Sequence, residues 1–129
     1  MTSEQKQVAG IDVSKVRLDV ALAGGKEVRA WPNNPDGRER LSVWLGQKVE
    51  LVVLEASGGL ETPLVSQLVS DGLAVAVVNP TRIRAFAHAE GLLAKTDKID
   101  ARVIAEFAAY IQPDPTPKVG RNLRLSKTY

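Results

Sequence analysis

Cysteine is absent from the 129 residues of this chain, and His88 is its only histidine. The lack of thiols excludes a disulfide framework and any zinc or iron–sulfur site that uses thiolate ligands. With so few soft ligands, a bound metal should be a hard cation such as Mg²⁺, Mn²⁺ or Ca²⁺, held by carboxylate oxygens. The acidic side chains are therefore the first place to look for chemistry.

Long apolar stretches are also lacking, since nowhere do 18 apolar residues follow one another and residues 1–7 are polar. This pattern argues against a membrane span and a signal peptide, so a cytoplasmic protein without a membrane partner is expected. Apolar residues (44%) and charged residues (25%) occur in the proportions of a globular domain. The net charge of +2 says little about partners by itself.

The spacing of apolar residues predicts an α/β fold with the order β-β-β-α-β-α-β-α. Alternating residues favour an antiparallel meander for the first three strands, whereas unbroken apolar runs are typical of buried parallel strands. Strands are predicted over residues 7–13, 16–22, 26–31, 51–54 and 73–78. Helices are predicted to begin after Asn34, near Leu60, at Thr81 and near Thr96, and the last should end before Pro113. A mixed sheet flanked by helices is the expected architecture.

Asp12 interrupts the apolar pattern of the first strand, close to its end. Aspartate is disfavoured inside strands, and burying a lone carboxylate is costly unless a metal or hydrogen bonds compensate the charge. A functional role is one explanation. The alternative is a carboxylate satisfied by the backbone amides of the turn at Ser14 and Lys15.

Glu55 directly follows the buried run 51–54. Acids at the carboxyl end of such a strand face the crevice in which open α/β sheets bind ligands. Gly58 and Gly59, which come next, would let a phosphate backbone approach closely, or they simply form the turn into a helix.

Asp97 and Asp100 are three residues apart at the predicted start of the last helix. This spacing would place both carboxylates on one helical face, one turn apart and directed toward the sheet. The alternative is structural: Thr96 or Asp97 caps the helix, and Asp100 is a favourable acid in the first turn.

These acids belong to three separate segments that could converge on one edge of the sheet. Four packed carboxylates would repel one another and take up protons unless cations lie between them. Two Mg²⁺ ions about 3.5–4 Å apart would relieve the repulsion and could stabilise the oxygens of a phosphodiester displacement. The combination predicts a metal-dependent site formed by Asp12, Glu55, Asp97 and Asp100.

Four stretches of the sequence resemble the amino-terminal domain of IS110-type transposases, relatives of the pilin-gene invertase: GIDVSK, LDVAL, LEASGGLE and VVNPTRIRAFAHAEGLLAKTDKIDARVIAEFA. The resemblance covers roughly residues 8–111. It implies an RNase H-like fold similar to the RuvC Holliday-junction resolvase. The prolines and the loss of apolar periodicity from Pro113 onward predict that the domain spans residues 1–112 and that a flexible basic tail, 113–129, follows it. The resemblance also places a DEDD tetrad on Asp12, Glu55, Asp97 and Asp100.

The function implied by this resemblance is Mg²⁺-dependent DNA strand cleavage or transfer, with Mn²⁺ as a possible substitute, in a transposase or site-specific recombinase. Members of the family continue through a coiled coil into a second domain that carries a proposed serine nucleophile. They act as multimers with a guide RNA, so DNA, a guide RNA and a homo-oligomeric state are the implied partners. The second domain is not part of this sequence, and complete recombination by this chain alone is not expected.

Basic residues near the acidic motifs are candidates for binding the nucleic-acid backbone, with a solvated basic face as the alternative. The candidates are Lys15, Arg82, Arg84, Lys95, Lys98 and Arg102. Trp31 and Trp44 could stack on bases, although their positions on a strand end and an apolar helix stripe favour core packing.

Two other functions remain open from the sequence. The first is a catalytically inert remnant that binds nucleic acid or docks on a partner. The second is a nucleotide-binding domain related to actin and the sugar kinases, whose phosphate loop also follows a strand with an acid. That loop needs a glycine after the acid, and Val13, Ser14 and Lys15 provide none.

Overall fold

A five-stranded mixed sheet forms the centre of the computed structural model, which describes residues 7–94 and 96–116. The strands are β1 (Gln7–Val13), β2 (Arg17–Leu22), β3 (Val28–Pro32), β4 (Val49–Glu55) and β5 (Val75–Val78). Their order in the sheet is β3-β2-β1-β4-β5. The first three strands pair antiparallel, whereas β1, β4 and β5 run parallel. The predicted fold class, a meander joined to parallel strands, is confirmed.

Four helices connect and follow these strands in the described part of the chain. They are α1 (Pro35–Gly46), α2 (Thr62–Ser70), α3 (Pro80–Ala89) and α4 (Ala101–Ile111). As predicted, Asn34 caps α1, because its side chain accepts a hydrogen bond from the Gly37 amide at 2.7 Å. Asn79 caps α3 in the same way through the Thr81 amide at 2.8 Å.

Two predicted helix starts are wrong. α2 begins at Thr62 rather than near Leu60, because the preceding loop is organised around the Glu61 carboxylate. α4 begins at Ala101 rather than near Thr96, because Asp100 has an extended backbone and caps the helix. α3 ends at Ala89, and Gly91, just beyond it, has a positive φ of 72°.

The sheet separates two apolar layers, and this division decides which way each strand residue faces. One layer joins Ile11, Leu18 and Leu54 to α1 and α2. The other joins Val53 and further residues to α3 and α4. Since successive strand residues point to opposite faces, Asp12, Asp19 and Glu55 all lie on the face covered by α3 and α4.

Gly10 brings α4 close to the central strand. A methyl group at this position would overlap the amide nitrogen of Ala105 and lie 2.7 Å from the carbonyl oxygen of Ala101. Only a residue without a side chain allows the helix backbone to rest on β1 here. The start of α4 therefore lies against Gly10, which is two residues before Asp12 in β1.

The segment after α4 returns along the sheet edge. The Thr116 amide donates to the Val75 carbonyl at 2.8 Å, and the Thr116 hydroxyl oxygen accepts from the Val77 amide at 2.7 Å. Thus residues 113–116 of the predicted tail lie against β5, while its remainder, 117–129, lies outside the described residues. No helix in the described ranges is long and apolar enough to cross a membrane.

Candidate functional site

Asp12 and Glu55 lie side by side at the ends of two parallel strands. The pairing of Ile11 with Leu54 places these two acids one step further along β1 and β4, on the same face. Both side chains are half-buried. The Oε1 atom of Glu55 is buried and has no hydrogen-bond partner among the described residues. An unpartnered buried carboxylate oxygen is costly, and a cation would compensate it.

Electrostatics confirm that the acids at this edge influence one another. Burial raises the pKa of Asp12, and the charges of Asp19 and Asp100 raise it further, against the opposing charges of Lys98 and Arg17. Burial and the neighbouring Asp12 likewise raise the pKa of the Glu55 carboxyl, which Arg84 partly offsets. The arrangement thus makes the ionised forms of Asp12 and Glu55 less favourable than in water, and an added positive charge would stabilise them.

Asp19 is a member of this acidic group that the sequence reasoning missed. The turn closed by the Ser14 amide and the Arg17 carbonyl, 2.9 Å apart, pairs Asp12 directly with Asp19 across β1 and β2. Arg17 holds both oxygens of Asp19, through Nε at 2.9 Å and Nη2 at 3.2 Å. The signal was present in the short hairpin loop, which determines the residue that faces Asp12.

Asp100 reaches the site from α4. Its Oδ1 atom accepts a hydrogen bond from the Val103 amide at 3.1 Å, so this aspartate is the N-cap of the helix. Its charge is close enough to raise the pKa of Asp12. The capping alternative considered for this motif therefore describes Asp100 rather than Thr96 or Asp97, and capping occupies only one of its carboxylate oxygens.

Asp97 is held by local contacts in the loop before α4. Its Oδ2 atom accepts a hydrogen bond from the Ala94 amide at 2.9 Å, and its carbonyl accepts one from Arg84 at 3.0 Å. The expectation that Asp97 and Asp100 share one helical face is wrong, because Asp97 precedes the helix. The structure thus places Asp12 beside Glu55 and within electrostatic reach of Asp100, and it directs the Asp97 carboxylate to the Ala94 amide.

The donor atoms of this group fit a hard cation, because all of them are carboxylate oxygens and one is buried without a partner. As the side chains stand, no three acidic or histidine residues in the described ranges are close enough to enclose a metal ion. The fit therefore rests on donor type and on the unpartnered Glu55 oxygen.

The glycine-containing loop after Glu55 is fixed by a further acid. Glu61 Oε1 accepts hydrogen bonds from the Ser57 amide at 3.0 Å, the Ser57 hydroxyl at 2.8 Å and the Gly59 amide at 3.2 Å. Burial opposes ionisation of Glu61, but these hydrogen bonds outweigh it and lower the pKa of the carboxyl. Glu61 therefore acts on the loop structure.

The predicted nucleic-acid-binding residues fall into separate environments. Lys98 lies close enough to Asp12 to lower the pKa of its carboxyl, and Arg84 has the same effect on Glu55. Lys15 and Arg102 are exposed, while the Arg82 guanidinium lies over the Phe107 ring, 5.3 Å from its centroid. Lys95 lies outside the described residues.

Trp31 and Trp44 are partly buried and contact each other, with 5.0 Å between ring centroids, on the face covered by α1 and α2. His88 is exposed in the last turn of α3. None of the three belongs to the acidic site, so the expectation that the tryptophans pack against the core is confirmed.

Comparison with known proteins extends these observations. Residues 9–123 match the family of IS110-type DEDD transposases, described as "Transposase". The pilin gene-inverting proteins of Moraxella bovis and Moraxella lacunata are each 28% identical over 129 residues, covering 94% of this chain and 40% of the relative. The chain therefore spans about two-fifths of the length of these curated relatives.

Two solved structures share the fold. Thermus thermophilus RuvC in complex with a Holliday junction substrate superposes with a TM-score of 0.59 at 15% identity, covering 85% of this chain and 99% of that chain. A second Thermus thermophilus RuvC structure gives a TM-score of 0.55 at 16% identity, with coverage of 84% and 98%. The fold is RuvC-like, and therefore RNase H-like.

Proposed function

This chain belongs to the IS110 family of DEDD transposases, and on that premise we propose that its folded domain catalyses metal-dependent cleavage or transfer of DNA strands. The observation that carries the proposal is the buried, unpartnered Oε1 of Glu55 beside Asp12, both on the face that α4 covers. Carboxyls whose pKa values are raised by burial and by neighbouring acids are typical of sites that perform chemistry.

Asp12, Glu55 and Asp100 would hold Mg²⁺ or Mn²⁺, and Asp97 would complete the tetrad by exchanging its contact with the Ala94 amide. When bound, such ions polarise a phosphodiester and stabilise both the attacking and the leaving oxygen. The protein's contribution is position: Asp12 and Glu55 sit on paired central strands, and Asp100 is fixed by capping α4.

Lys98 and Arg84 supply the positive charge that would bind the DNA backbone next to the acids. Both groups lie close enough to lower the pKa of a site carboxyl, so a phosphate placed there would be attracted by their charges. Lys15 and Arg102 are exposed and would extend the contact along the strand, and Lys95 is proposed for the same role on sequence grounds.

The partners of the whole enzyme are proposals as well, since this chain spans two-fifths of its curated relatives. DNA is the proposed substrate. The Holliday junction bound by the RuvC neighbour makes branched DNA the first form to test. A guide RNA and a homo-oligomeric assembly follow from the family resemblance. A cytoplasmic location follows from the apolar pattern of the sequence, and all three stay predictions.

Thermal unfolding of the 129-residue chain with and without divalent cations tests the metal site. Millimolar Mg²⁺ or Mn²⁺ should raise Tm, because an ion that binds only the folded state stabilises it, and a concentration 100 times Kd contributes about 2.7 kcal/mol. Asp12→Asn and Glu55→Gln should abolish the rise. Asp36→Asn, an exposed acid on α1 behind the sheet, should retain it.

Asp97→Asn distinguishes a metal site formed by all four acids of the tetrad from one formed by Asp12, Glu55 and Asp100 alone. If Asp97 turns toward the ions, this variant should need at least tenfold more Mn²⁺ for half-maximal stabilisation. An absence of any metal-linked shift in the unmodified chain would overturn the proposed function, whereas an unchanged response in Asp97→Asn would remove only Asp97 from the site.

A second function, nucleic-acid binding without chemistry, is favoured by one observation: Asp97 is held by local hydrogen bonds. This alternative predicts binding of branched DNA that survives Asp97→Asn and Asp100→Asn, with no cleavage in Mg²⁺ or Mn²⁺. Metal-dependent nicking of a branched duplex, lost in Asp12→Asn, would exclude it.

A further inference from the structure

A groove of about 400 Å³ lies between the β2–β3 edge of the sheet and the end of α1. Its floor includes Val20 and Trp44, and these residues belong to the apolar layer on the α1 and α2 face. Asp12 and Asp19 point to the opposite face, so the groove is separate from the acidic site. The charged residues that line it are Lys26, Glu27, Arg29 and Lys48.

Two of these cations lie over one indole ring. The Lys48 Nζ atom is 5.1 Å and the Arg29 Cζ atom 5.4 Å from the centroid of the Trp44 ring. Trp31 contacts the same ring at a tilt of 50°. Exposed cation–π contacts are weak, about 0.5–1 kcal/mol each, so a ligand that offers both an anion and a flat ring could replace them.

The electrostatic balance of the groove is positive. Lys26, Arg29 and Lys48 face a single acid, Glu27, among the residues that line the groove. All four charged side chains are exposed, and their charges remain available to a ligand from solution. The ligand that complements this surface is anionic and extended.

We propose that this groove binds single-stranded nucleic acid. An exposed base has a flat π-face that could stack on the Trp44 indole in place of the Arg29 and Lys48 side chains, and the flanking phosphates suit these cations and Lys26. A duplex keeps its bases stacked inside and offers only phosphates, which leaves the aromatic part of the groove unused. An acidic peptide would pair with the cations but has no ring for the indole.

The proposal does not depend on the proposed strand-cleavage function, because the two sites occupy opposite faces of the sheet. A strand bound in this groove would be a second nucleic-acid segment, held away from the acids while another segment is processed. This would give the domain one face for chemistry and one for a positioned strand.

Tryptophan fluorescence provides a direct test, because the chain contains only two tryptophans and both contact this groove or its indole. The full chain in EDTA should be titrated with a single-stranded oligothymidylate of about 12 nucleotides at low salt. Stacking should quench the emission. The logarithm of the binding constant should fall with that of salt concentration with a slope of about −2, as expected for three phosphates at about −0.7 each.

Arg29→Gln and Lys48→Gln should each weaken binding several-fold, and the double variant should weaken it more than tenfold. Arg40→Gln is the matched control, since Arg40 is an exposed α1 arginine paired with Asp36 and lies outside the groove. Circular dichroism of every variant excludes unfolding as the cause.

Three outcomes would overturn the proposal: no quenching at low salt, quenching unaffected by the double variant, or equal affinity for polyglutamate or for a blunt duplex of the same length. Each of these outcomes leaves the metal response of Tm unaffected, so failure of the groove proposal and failure of the proposed function are distinguishable.

Discussion

Asp12 is held in position by the central strand β1, although its charge is unfavourable for the stability of the fold. Burial and the charges of Asp19 and Asp100 raise its pKa, so the folded protein accommodates the ionised carboxylate less well than the unfolded chain does. A carboxyl with a raised pKa destabilises the fold at pH values above its folded pKa. The penalty disappears as the pH falls below the ordinary value of 3.8, where the unfolded state is protonated as well.

Asp12→Asn should therefore stabilise the metal-free protein near neutral pH, by removing a charge that the folded state disfavours. The gain should shrink with acidification and vanish near pH 3. Thermal unfolding in EDTA across this pH range measures the effect, with Asp36→Asn as the exposed control. A gain that is absent at pH 7, or equal at pH 3 and pH 7, would contradict the assigned electrostatics.

Acids that break an apolar pattern could be identified as site residues from the sequence, whereas an acid that fits a regular alternating pattern could not. Asp12 and Glu55 stand out because each ends an apolar stretch of strand. Asp19 alternates regularly with Leu18 and Val20, so it resembles an ordinary solvent-facing residue. Its position opposite Asp12 depends on hairpin register, and a slip of one residue would have moved it to the other face.

Among the elements, α4 and β1 form the contact on which the site depends. Because the backbone of α4 rests directly on Gly10, the Asp100 cap lies near Asp12. The helix start was mispredicted for a physical reason: Asp97 and Asp100 are both good capping residues, and the sequence offers no local signal for choosing between them. The choice is made by packing against β1.

Gly10→Ala tests this contact. The added methyl group must displace α4, so the variant should lose about 1–3 kcal/mol of stability, the usual cost of overpacking, and should respond more weakly to Mn²⁺. Gly46→Ala is the matched control, because nothing lies within 4 Å of a methyl group there. Urea unfolding measures both. Equal stability of the two variants would show that α4 does not rest on Gly10 as described.

In the whole molecule, the sheet serves as a partition between two surfaces of different chemistry. The face under α3 and α4 carries the acids, and the face under α1 carries the basic aromatic groove. The antiparallel meander and the parallel strands were predicted from the sequence, because unbroken apolar runs and alternating residues are distinct patterns. The groove could not be predicted from the sequence, because it is formed by tertiary packing between residues near β3 and the end of α1.

β5 is an edge strand of the sheet, and Thr116 forms hydrogen bonds with part of its outer edge. Its hydroxyl oxygen accepts from the Val77 amide and its own amide donates to Val75. Thr116→Val keeps the side-chain shape but removes the acceptor, so the variant should lose about 1 kcal/mol of stability and expose the Val77 amide to faster hydrogen exchange. Thr62→Val, on an exposed helix start, is the control. Unchanged exchange at Val77 would mean that Thr116 does not seal this edge, and that β5 is open to pairing with another strand.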